Sequence, residues 1–80
     1  MRIEDLVYWC KANVGLSNSM LGDLLGYGHS SVAGWNEETY SPETVKKHKR
    51  DIVKVVNDRL DEIVNEWLKV KRQMEEDEEI

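Results

Sequence analysis

The chain is poor in the residues that cross-links and metal clusters require. Cys10 is its one cysteine, which excludes an internal disulfide framework and a site built from several thiolates. A reducing cytoplasm is the expected home. Two histidines, Cys10 and scattered carboxylates do not add up to an ordinary zinc site, so no metal and no cofactor are expected. No GxxxxGK loop is present to cradle a phosphate. No apolar run comes near the roughly 18–20 residues that a membrane helix needs. The start, MRIEDLVYWCK, carries acids inside its apolar stretch, unlike a secretory leader. With no catalytic constellation in the chain, a non-enzymatic role is expected.

What is present suits one small core with a highly charged surface. The 80 residues carry 11 Lys+Arg against 16 Asp+Glu, a net charge of −5, with 40% hydrophobic and 34% charged residues. This is too apolar for a disordered chain and too charged for a membrane protein. The length is that of a single domain. Cores of this size leave a net stability on the order of a few kcal/mol. An apolar stripe left over once the core is filled therefore favours a partner chain.

Composition divides the chain. Residues 1–41 hold all five glycines and two of the three tryptophans, whereas 42–74 hold no glycine and one proline, Pro42. Residues 75–79 read Glu-Glu-Asp-Glu-Glu. There is no internal repeat. The first zone is predicted to form three short helices. In the first, about 3–13, Ile3, Leu6, Val7 and Cys10 fall at helical spacing, and Gly15 stops it. The second follows Ser17, a favoured N-cap, carries Met20, Leu21, Leu24 and Leu25, and ends at Gly26. The third spans about 29–37, with Val32 and Trp35 as its inward pair. In the second zone Ser41 is a good N-cap, Pro42 fits the first helical position, and Glu43 complements the helix dipole. Helix is predicted from there to about Met74. Asn57-Asp58 could cap a new helix, so a break at that point stays open.

The stretch LSNSMLGDLLGYGHSSVAGWN, Leu16 to Asn36, resembles the Cro/CI repressor family of XRE-like helix-turn-helix domains. That pattern runs Leu-Thr-Gln, two variable residues, Leu-Ala, two variable residues, Leu-Gly, a short turn, then Ser/Thr-Ile/Val-Ser and Trp-Glu, with a proline about six residues further on. It aligns without a gap from Leu16 to Pro42, about a third of the chain. The resemblance implies a family of small phage or mobile-element regulators, with helix 29–37 lying in a DNA major groove. It implies that Asn18 binds a backbone phosphate and that His29, Ser30 and Ser31 read base edges. Gly34 occupies a further base-reading position with no side chain to read with. Gly22 stands where the two helices cross closely. Asn36-Glu37-Glu38 replaces the family's Glu-Asn-Gly.

Charge placement qualifies the picture. Residues 12–42 contain no Lys or Arg, although base edges and phosphates are usually met by cations. Lys46, Lys47, Lys49 and Arg50 then put four positive charges into five residues. They are expected to contact phosphates, against the plainer reading of a solvated helix face with pairs at i±4. Residues 1–50 balance six basic against six acidic groups, while 51–80 hold five basic and ten acidic. The excess acidity thus lies away from the expected DNA face. His29 is either a base or phosphate contact titrating at about pH 6.5 or a helix cap. Tyr27 and Tyr40 either donate to phosphate or simply pack. Cys10 is expected to be a small buried residue, and Trp9, Trp35 and Trp67 to lie in core or interface.

Val53, Val56, Leu60, Ile63, Trp67, Val70 and Met74 alternate spacings of three and four, a heptad seam. Val64 and Leu68 widen it. Ile52 and Val55 are expected to pack back onto the first zone. Beyond about Leu60 a straight helix leaves a body of this size, and Trp67 would stay wet. Self-association through Val56, Leu60, Ile63, Val64, Trp67, Val70 and Met74 is therefore expected, with parallel, antiparallel and higher-order packing all open.

The sequence thus predicts an all-α fold: a lambda-repressor-like helix-turn-helix domain at 1–50, a helical dimerisation element at 51–75 and an acidic frayed tail at 76–80. The expected function is a sequence-specific DNA-binding regulator, a homodimer on a palindromic operator, with double-stranded DNA and a second copy as partners and no membrane. The alternatives are a protein-binding adaptor on the same scaffold, acting as an antirepressor or inhibitor, and an oligomeric DNA-packaging or recombination accessory.

Overall fold

Apolar residues spaced for helix, punctuated by serine caps and glycine stops, set out the elements. A computed structural model describes residues 1–28 and 30–78. It contains α1 (Ile3–Val14), α2 (Asn18–Leu25), a 3-10 turn (Val32–Gly34) and α3 (Pro42–Glu78). No strand occurs among the described residues. α1 turns Ile3, Val7, Cys10 and Val14 inward, one residue per turn. It ends at Gly15, whose φ of 72° is left-handed. The Ser17 hydroxyl accepts from Met20 N at 3.2 Å and caps α2. Gly26, at φ 82°, closes that helix, and Tyr27 N donates to Gly22 O at 2.8 Å. That six-to-one bond with a left-handed glycine is a Schellman stop.

α3 starts as its sequence predicts. The Ser41 hydroxyl accepts from Thr44 N at 3.3 Å, and Pro42 is the first helical residue. The helix runs through Asn57-Asp58 without a break over 37 residues. Its first half supplies Val45 and Ile52 to the core beside Leu16, Leu21, Val32 and Trp35, with Val55 and Val56 packed against it. The body therefore extends past Arg50 to Val56. From Leu60 to Asp77 every side chain is exposed, and the molecule measures 60 × 21 × 19 Å. Trp67 is 55% exposed. No helix among the described residues is long and apolar enough to cross a membrane.

Two stretches differ from their prediction: residues 76–78, expected in a frayed tail, continue α3 as helix, and the third helix is the other. The third helix does not form: His29 lies outside the described residues, Ser30 and Ser31 form a turn, and only Val32–Gly34 winds, as 3-10. The cause is local. The Ser31 hydroxyl donates to Tyr27 O at 2.6 Å. The Asn36 amide donates to Gly34 O at 3.1 Å, and its Oδ1 accepts from Glu38 N at 3.0 Å and Thr39 N at 2.7 Å. Side-chain bonds of this kind offer the backbone an alternative to helix, and glycine and serine resist it weakly. Trp35 is then extended, with ψ 128°.

Candidate functional site

The segment between α2 and α3 rests on an aromatic bed. Val32 and Trp35 point inward, 1% and 5% exposed, as their spacing predicts. The Trp35 indole lies flat on the His48 imidazole, centroids 4.0 Å apart and planes 8° from parallel. Tyr27 stands edge-on to both, at 5.5 Å from Trp35 and 5.1 Å from His48. Tyr40 closes the far side, 6.2 Å from His48. Tyr27 is thus half-buried in the packing, while Tyr40 stays exposed. His48 is buried, and its Nδ1 has no hydrogen-bond partner among the described residues. Burial pushes its pKa below the ordinary value, Asp51 opposes that shift and Lys47 assists it.

Because Val32 and Trp35 anchor the segment, Ser30, Ser31, Ala33 and Gly34 face outward. A Cβ added to Gly34 would meet nothing within 4 Å. Ala33 shares a shallow groove of about 250 Å³ with Asn18, Lys11, Tyr8 and Glu4. Asn18 thus comes together with the outward segment. Lys11 is the one cation in that groove among the described residues. Sequence reasoning misses it because it lies in α1, outside the aligned stretch, and only the fold brings it across.

The basic run at the start of α3 splits into two roles. Lys46, Lys47 and Arg50 are exposed and make no ion pair among the described residues. Lys49 is committed: its Nζ lies 2.6 Å from Glu37 Oε1 and donates to Met1 O at 2.8 Å. This strap ties the N-terminus and the segment after the turn to α3, and it holds the Glu37 carboxyl below the usual range. Arg2 bridges Glu4 at 2.9 Å and Glu38 at 3.3 Å on the surface. Glu4 is lowered as well, first by its own backbone amide and then by Arg2. The i±4 pairs of the plainer reading, for Lys46 and Arg50, are absent among the described residues.

His48 is the buried packing residue beneath the candidate site that the sequence hid. Its immediate neighbours in sequence are cations, yet it is three residues from Val45 and four from Ile52, the inward phase of α3. No group of His, Cys, Asp and Glu among the described residues is placed to hold a metal ion. Cys10 is buried, and burial raises its thiol pKa. Of the seam residues, Val56 already leans on the body, while Leu60, Ile63, Val64, Trp67, Val70 and Met74 are free on the surface. In comparisons with known proteins, no family model, no curated protein and no solved structure matches the chain.

Proposed function

We propose that this chain is a cytoplasmic DNA-binding regulator acting as a dimer. A helix-turn-helix-like body presents Ser30, Ser31, Ala33 and Gly34 to base edges while Lys46, Lys47, Arg50 and Lys11 grip phosphates. The observation that carries this reading is the outward segment itself. Trp35 is fixed among three other rings, the outer residues are small and exposed with the Ser31 hydroxyl turned back to Tyr27 O, and Lys11 and Asn18 stand in the adjoining groove. Small outer residues let a backbone come close to a duplex. The sequence pattern from Leu16 to Pro42 supports the same reading.

A second reading has its own support. A three-residue turn fills a major groove less than a full recognition helix would, and no Lys or Arg lies between Lys11 and Lys46. That combination suits a protein-binding adaptor.

Anisotropy titrations with varied duplexes at about 50 mM salt and above separate the two. The regulator gives a sequence-selective complex. Changing Lys46, Lys47 and Arg50 to Gln lowers the slope of log affinity against log salt by about 0.9 for each phosphate no longer neutralised. Gly34→Lys, which adds a cation into open space, tightens binding. No detectable complex at the lowest salt overturns DNA binding and leaves the adaptor.

A further inference from the structure

The distal half of α3 offers an apolar face that its own body does not cover, and charge decides what does. Leu60, Ile63, Trp67, Val70 and Met74 are each between 42% and 56% exposed, on a helix that continues the heptad of Val53 and Val56. We propose that a second copy covers this face with its α3 running antiparallel, Leu60 of one chain against Ile63 of the other. The proposal rests on the dimer reading above and adds its direction.

Three features set that direction. The first is the charge at the two ends of α3. Lys46, Lys47 and Arg50 stand exposed near its start, whereas Glu75, Glu76 and Asp77 stand exposed near its end, Glu75 bridged to Lys71 at 3.9 Å and Glu76 and Asp77 with no ion pair among the described residues. Parallel pairing brings acids to acids and bases to bases. Antiparallel pairing brings each acidic end beside a basic start, within the roughly 8 Å over which such charges act at physiological salt. The second is bulk. In a parallel seam Trp67 meets Trp67 in one layer, whereas in the antiparallel register it meets Val56, and Val53 meets Val70. Large against small is how facing layers fill.

The third is Arg59. Its guanidinium reaches Glu62 at only 3.9 Å, and its Nε is buried without a partner among the described residues. In the antiparallel register the second copy's Glu66 flanks Arg59, and each Arg59 has that neighbour by symmetry. Glu66 itself holds only a surface pairing with Lys69, at 3.3 Å.

This register has a measurable consequence for the bodies. Its two-fold axis falls between residues 61 and 62, about ten residues beyond the core packing at Ile52. At 1.5 Å per residue the two bodies sit about 30 Å apart along the pair, close to the roughly 34 Å of one DNA turn.

The experiment uses the full chain. Gln73→Cys in a Cys10→Ser background carries a spin label, and pulsed dipolar distances are read beside the mass from light scattering. Antiparallel pairing gives a dimer mass with labels about 35 Å apart. A dimer with labels under about 25 Å apart is parallel and overturns the proposal while leaving the dimer intact. A monomer mass overturns the dimer itself. A second variant gives a readout of opposite sign. Neutralising Glu75→Gln, Glu76→Gln and Asp77→Asn together raises the dimer Kd about tenfold at low salt if the acids face a basic start. A fall in Kd, from relieved repulsion between acidic ends, overturns the proposal.

Discussion

At the scale of single residues, His48 couples the packing to pH. It links the segment that carries the outward residues to the helix that completes the core, by packing on Trp35, Tyr27 and Tyr40. Its folded pKa lies below the ordinary value of 6.5, so between those two values the unfolded chain binds more protons than the folded one. Stability therefore rises with pH through that window, falls on acidification below about 6.5, and is flat above it as far as this group is concerned. Glu37 and Glu4 are lowered from 4.5, so their contributions are full above that pH and fade below it. Urea midpoints at pH 7.5 and 5.5 are expected to differ in the native chain. The difference should shrink in His48→Phe, which keeps a flat ring on Trp35 and cannot titrate. An unchanged difference would place the titration elsewhere. The helical phase of Val45, His48 and Ile52 marks His48 as inward, yet its cationic neighbours mask that phase in any reading by composition.

At the scale of elements, the stops and starts were the legible part. Ser17, Gly26, Ser41 and Pro42 each do locally what their chemistry predicts, because capping needs only neighbours in sequence. Ser17→Ala is expected to cost about 1 kcal/mol. Gly26→Ala, forced to φ 82° with nothing nearby to clash, should cost about 1–2 kcal/mol from backbone conformation alone. Both are checked by urea midpoints. The 29–37 stretch was illegible for the opposite reason. Its apolar pair at Val32 and Trp35 is compatible with a full helix or with a single tight turn, and the choice was made by Asn36 folding back on Gly34, Glu38 and Thr39. A spacing of three cannot distinguish those outcomes. The site inherits the same limit: Asn18 and the outward residues were readable from a pattern, whereas Lys11 and the Lys49–Glu37 strap depend on neighbours brought together across the fold.

At the scale of the molecule, the division into a body and a projecting helix was readable because the heptad outruns the core. Trp67→Glu is expected to give a monomer by light scattering with the body still folded, since Trp67 lies outside the core cluster. An unchanged assembly mass would remove the seam. The exposed reach of α3 also carries a thermodynamic consequence. A lone helix of about that length is marginal in water, and this one has no support of its own beyond the core. Diluting the protein should therefore unwind it from the free end back towards Val56, so that far-ultraviolet ellipticity becomes a function of concentration and reports assembly without any label.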